Sequence, residues 1–189
     1  MTFSSFLSYL RAFFLRLPMI HWIVIAGVSL VVLVFLLIRK KNSVYGSFIL
    51  ALTVLYGLYL LDDLFLCRLG GDIVRPYGFD LGAEYQRLIH GSVEHRILML
   101  FNVAFFVPFG FFLAEFLASA KQFRARRRLG LATLAGFGLS LCIEFLQLVF
   151  RVGIFEVTDL LMNTLGAFVG AGVAVGVRKT SELGRQKRM

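Results

Sequence analysis

The chain has 189 residues, 59% of them hydrophobic and 15% aromatic, and a formal net charge of +9. A soluble core of this size cannot hide so much apolar surface, so the composition excludes an ordinary water-soluble domain and predicts an all-α bundle of membrane helices. The basic residues sit at the ends of apolar runs, as membrane anchors do, which argues against nucleic acid as a partner.

Cys67 and Cys142 are too few for a disulfide framework and read as packing residues. Residues 1–17 place Phe3, Phe6, Leu7, Leu10, Phe13, Phe14 and Leu17 on one stripe at helical spacing, away from Ser4, Ser8, Arg11 and Arg16. That is the pattern of an interfacial amphipathic helix. A cleaved secretory signal fits less well, because the next apolar run is too long and no small-residue cleavage site precedes Arg39. Residues 18–61 hold two expected spans. The first runs from about Pro18 to Ile38 and is stopped by Arg39, Lys40 and Lys41; the second runs from about Val44 to Leu61 and ends at Asp62 and Asp63. Each is close to the roughly 20 residues that cross a bilayer at about 1.5 Å per residue.

Residues 62–177 begin with a polar outer segment and continue as three more spans, at about 97–117, 129–150 and 159–177; residues 178–189 form a basic tail. Lys and Arg concentrate after the first span, after the third (Lys121, Arg124, Arg126, Arg127, Arg128) and in the tail (Arg178, Lys179, Arg185, Lys187, Arg188). The positive-inside rule makes that side cytoplasmic, so the carboxyl terminus is expected inside and the segments 62–96 and 151–158 outside.

Polar side chains inside these spans are costly and need a reason. Glu144 and Gln147 are spaced i, i+3 and Asp159 and Asn163 i, i+4, so each pair shares one helical face. The connection between the two helices is short and contains Gly153, which predicts antiparallel neighbours. Asn102 lies five residues into the third span, about 8 Å deep, at a level matching Glu144. Three helices are thus expected to deliver polar groups to one layer near the outer surface. Plainer roles also fit: Asn102 and Asn163 as interhelical glue, and Asp159 as a first-turn carboxylate on the helix dipole with Thr158 as cap. Glu144, away from both helix ends, must be protonated, hydrated or paired, for example with Arg151.

Other features rank lower. Pro108 and Gly110 are expected to kink the third span, Gly166 and Gly170 to permit close helix packing, and Glu115 to snorkel toward the interface. His90, Glu94 and His95 have the wrong spacing for a zinc motif and no evident third ligand, so neither a metal nor another cofactor is expected.

The run Asn102–Phe111, NVAFFVPFGF, resembles the Asn-x-x-x-Phe-x-Pro-x-Gly signature of VanZ-like membrane proteins. Glu144-x-x-Gln147, followed by Phe155-Glu156-Val157-Thr158-Asp159-x-x-x-Asn163-Thr164-Leu165-Gly166, resembles their second signature. The resemblance covers about Arg75 to Gly170, with Arg75 and Pro76 matching the basic residue and proline that open the family's outer segment. It departs at Gly153, where many members carry an arginine; here the nearest is Arg151. The resemblance implies a bacterial cell-membrane protein that lessens the action of lipid-bearing glycopeptides such as teicoplanin. The expected site comprises Arg75, Asn102, Glu144, Gln147, Arg151, Asp159 and Asn163, and its expected partners are membrane lipids and a lipid-linked, cell-wall-precursor or glycopeptide-like ligand. Two alternatives stand beside it: an enzyme using Glu144 and Asp159 as acid and base on a lipid-linked substrate, although no nucleophile or metal motif accompanies them, and a small proton-coupled transporter, for which Glu115 is the one inner candidate.

Overall fold

The computed structural model describes residues 19–39, 43–66, 69, 81–121, 123–153 and 155–186. The helix expected over residues 1–17, Cys67 and Arg75 with Pro76 lie outside the described residues. Six α-helices follow one another: α1 (Met19–Arg39), α2 (Val44–Leu64), α3 (Leu81–His90), α4 (Val93–Lys121), α5 (Ala125–Phe150) and α6 (Val157–Gln186). Each expected span falls on one of them. Among the described residues, α2, Arg96–Ala120 of α4, α5 and Val157–Ser181 of α6 are long and apolar enough to cross a membrane, and α1 contributes the shorter apolar stretch Ile25–Val34.

Helix ends follow local chemistry rather than hydropathy. Ser43 holds an extended backbone and its Oγ accepts from Gly46 N–H at 3.0 Å, capping the start of α2. At the end of α5, Arg151 adopts the left-handed conformation (φ 56°, ψ 33°), with Arg151 N–H bonded to Leu148 O and Val152 N–H to Gln147 O. This is a Schellman closure, and it reverses the chain toward α6. α4 starts at Val93 and α5 at Ala125, each upstream of the expected span, because hydropathy registers only the lipid-facing part of a helix. The segment expected as a polar outer connection contains α3, which packs against α6.

The bundle is built around the seam between α4 and α6, its most extensive helix contact. Small residues make it possible. A Cβ on Gly110 would meet Ala167 O, one on Gly166 would meet Val103 O, and one on Gly170 would meet Val107 O. The GxxxG pair therefore sets the backbone approach that the sequence pattern suggested. α5 joins from the other side, where Gly136 faces Ala167, and α2 packs on α4 while α1 packs on α2. Phe106, Tyr59, Leu60 and Ile143 fill the centre. Pro108 lies inside α4, which remains helical through it. Cys142 is exposed on α5, which corrects its reading as a packing residue: its neighbours Ile143 and Glu144 take the inward face.

Candidate functional site

Alternating helix directions bring the end of α2, the first third of α4, the end of α5 and the start of α6 to one end of the bundle. A ladder of polar contacts joins them. In the first turn of α6, Asn102 Nδ2 donates to Asp159 Oδ1 at 2.6 Å, bridging α4 and α6. Just ahead of that turn, Glu144, 3% exposed, accepts from Glu156 N–H at 3.0 Å. Beneath it, Asn163 Nδ2 donates to Ser140 Oγ at 2.9 Å, both residues being buried. To one side, Gln147 Nε2 donates to Leu64 O at 2.8 Å and so closes the last carbonyl of α2.

These contacts account for the local sequence. Glu144, which the sequence requires to be protonated, hydrated or paired, accepts the backbone amide that precedes α6. Glu156 stands at the cap position, because Leu160 N–H bonds to Glu156 O at 3.2 Å. Thr158, expected as the cap, is a buried first-turn residue. Asp159 keeps its expected place in that first turn, where a carboxylate suits the positive end of the helix. Gly153 is required by packing rather than by backbone twist: a Cβ there would lie 2.6 Å from Gln147 Oε1, and the left-handed position falls on Arg151. Arg151 itself is exposed.

The structure therefore brings together Asn102, Glu144, Gln147, Asp159 and Asn163. Arg151 sits at their rim, in the turn, while Pro108, Gly110, Gly166 and Gly170 lie deeper, in the seam below. Three buried polar residues at this end escaped the sequence reading. Ser140 stands one turn before Glu144 on the same face of α5, and that i−4 spacing was the available signal. Asp62 and Asp63, read as the stop after the second span, lie within α2 at 4% and 1% exposure. A double-carboxylate end to an apolar run looks like a water-facing boundary; only the packing of α2 into the bundle places it inside.

The layer's chemistry is that of fixed donors and acceptors. Asn163 Oδ1 is buried with no hydrogen-bond partner among the described residues, which leaves an acceptor at the base of the ladder. No three His, Cys, Asp or Glu among the described residues are grouped so as to hold a metal ion. Glu115 occupies the opposite end. Rather than snorkelling, it is buried, accepting from Arg178 Nε at 3.0 Å to each oxygen and from Tyr45 OH at 3.0 Å.

Comparison with known proteins gives a match to the family model described as VanZ/LLP1 over residues 59–178. The matched region begins near the end of α2 and takes in the whole of α3, α4 and α5 and most of α6. No curated protein and no solved structure matches the chain.

Proposed function

This chain belongs to the VanZ/LLP1 family, the match covering well over half its length, and from that premise we propose that its polar layer is an outward-facing intramembrane site for a lipidic, cell-wall-precursor or glycopeptide-like ligand in a bacterial cell membrane. Occupancy of that site lowers susceptibility to teicoplanin-type glycopeptides. The observation that carries the reading is the ladder from Asp159 to Asn163: fixed carboxylate and amide groups on three helices, ending in a buried acceptor. Groups of that kind recognise amide N–H and hydroxyl donors, which peptide and sugar headgroups present. Arg151, exposed in the turn at the rim, supplies positive charge for an anionic portion of such a ligand, and Arg75 is the further cation that the family resemblance implies. The concentration of Lys and Arg in the loops at the opposite end supports a cytoplasmic location for that end and the carboxyl terminus, and with it an outer-leaflet position for the layer.

Two measurements test this. Single cysteines at Gly82 and at the exposed turn residue Arg151, with Cys67 and Cys142 replaced, are expected to react with a membrane-impermeant thiol reagent in intact cells, and one at Gln122 is not; labelling at Gln122 with protection at Arg151 inverts the orientation and removes the outer site. A protection assay against a lipoglycopeptide in a sensitive bacterium then compares wild type, Glu144→Gln and Asp159→Asn at matched membrane levels. A binding site gives graded loss, since each amide keeps part of the hydrogen bonding and a broken desolvated pair is worth about 2–5 kcal/mol. Abolished protection in both variants, with a cleaved lipid or drug in extracts of the wild type, supports acid–base catalysis by Glu144 and Asp159 instead.

A further inference from the structure

A polar cavity lies at the end of the bundle opposite the proposed outer site. It is a cleft of about 470 Å³ lined by Ser43, Tyr45, Ser119, Arg128 and Arg178. Four helices supply its walls: the starts of α2 and α5, the end of α4 and the last third of α6. We propose that this cleft binds a phosphate group, carried by an anionic membrane lipid or free in solution.

The argument rests on what the cleft's cations do. Arg178 is already engaged, with Nε and Nη2 on the Glu115 carboxylate at 3.0 Å, and Tyr45 OH occupies the same carboxylate. One acidic group thus serves one arginine and one phenol. Arg128 is a second cation on the same cleft, 8% exposed, and its Nε has no hydrogen-bond partner among the described residues. Burying a guanidinium with an idle donor is costly unless an anion meets it. A tetrahedral phosphate matches that need, because a guanidinium fork binds it through paired, charge-assisted hydrogen bonds.

The rest of the lining agrees. α2 and α5 both begin here, so the positive ends of two helices face the cleft along with the arginines. Ser43 Oγ accepts from Gly46 N–H, which leaves its hydroxyl proton available to a ligand oxygen. The cleft lies at the end of the bundle where Arg124, Arg126 and Arg127 are exposed, a surface that concentrates anions near the bilayer. A lipid phosphate and a free phosphate present the same chemistry to Arg128, and they differ in whether a bilayer must carry them.

The test uses full-length protein in phosphatidylcholine nanodiscs. One arm adds phosphatidic acid to the nanodisc, the other adds inorganic phosphate to the buffer, and retained ligand is read by native mass spectrometry and by titration at two ionic strengths. Binding is expected in at least one arm, weakened by salt. Retention of phosphatidic acid with no response to inorganic phosphate assigns a lipid headgroup, and response to both assigns the phosphate group alone. Arg128→Gln is expected to weaken binding about tenfold to a hundredfold, the value of one or two charge-assisted hydrogen bonds. Arg124→Gln, which removes an equal charge from the exposed cap position of the same helix, is expected to change it little. Ala118→Met keeps Arg128 but fills the cleft, and it too is expected to weaken binding in protein that elutes as folded; Ala118 lines the same cavity. No binding in either arm overturns the proposal, as does wild-type affinity in folded Ala118→Met or equal losses in Arg128→Gln and Arg124→Gln.

Discussion

At the end of the bundle that carries Glu144, carboxylates are met by amides: Glu144 by Glu156 N–H and Asp159 by Asn102 Nδ2. At the other end Glu115 is met by a guanidinium and a phenol. An amide donor positions a carboxylate without cancelling its charge, whereas Arg178 does both. The amide bonds fix the directions of Glu144 and Asp159 at the start of α6, and the arginine pair locks helices α2, α4 and α6 together around Glu115.

Both ends depend on the glycine seam between them, so the largest effect is expected there. Gly170→Val drives a branched side chain into Val107 O, backbone that cannot yield as a side-chain tip can. A loss of about 3 kcal/mol or more is expected, with both ends disrupted together, read as loss of the monodisperse peak in size-exclusion chromatography. Stable, folded Gly170→Val protein would show that the seam tolerates separation. Arg178→Gln comes next. It strands Glu115 in a buried position, at a cost of about 2 kcal/mol, below the range for fully buried pairs because Arg178 is 29% exposed. The double variant Glu115→Gln, Arg178→Gln is expected to recover much of that loss in thermal unfolding, since both partners become neutral; strictly additive losses would deny the coupling. Gln147→Leu follows on the other end, leaving Leu64 O without its donor for about 1–2 kcal/mol. Its signature is local: α2 loosens from α5, so faster hydrogen exchange near the carboxyl end of α2 with an unchanged seam is the expected result.

The contrast between the ends also explains what the sequence made legible. Span positions, the antiparallel α5–α6 pair and the gathering of Asn102, Glu144 and Asn163 toward one end of the bundle follow from apolar run length and helical spacing, which are local properties. The partners of those residues do not. Glu144 accepts from a backbone amide, and every residue but proline carries one, so nothing in the side-chain sequence could mark Glu156 N–H as the donor. Asp62 and Asp63 read as a boundary because burial depends on which helix covers them, a tertiary fact. Glu115 and Arg178 are separated by 63 residues, and each alone looks like an interfacial charge at the end of its span. Ser140 was within reach, one turn from Glu144, but a serine in a membrane helix also satisfies its own backbone, as Ser29 does with Ile25 O.

The smallest expected effect separates architecture from function most cleanly. Asn163 and Ser140 share one hydrogen bond between α5 and α6, and interhelical bonds of this kind contribute about 0.6 kcal/mol on average. Ser140→Ala should therefore barely move the unfolding temperature. Asn163→Leu combined with Ser140→Ala removes both partners and the idle Oδ1 acceptor together, so no new buried polar group is created and stability should stay near that of the wild type. If the layer serves only to hold α5 against α6, protection in the lipoglycopeptide assay should stay at the wild-type level in this double variant as well. If Asn163 Oδ1 is the acceptor that a ligand reaches, protection should fall about tenfold while stability and membrane level are unchanged, because one hydrogen bond to a desolvated site is worth about 1–2 kcal/mol. Full protection in the double variant would confine the ligand to the upper rungs, Glu144 and the Asn102–Asp159 pair, and would leave Asn163 as helix glue.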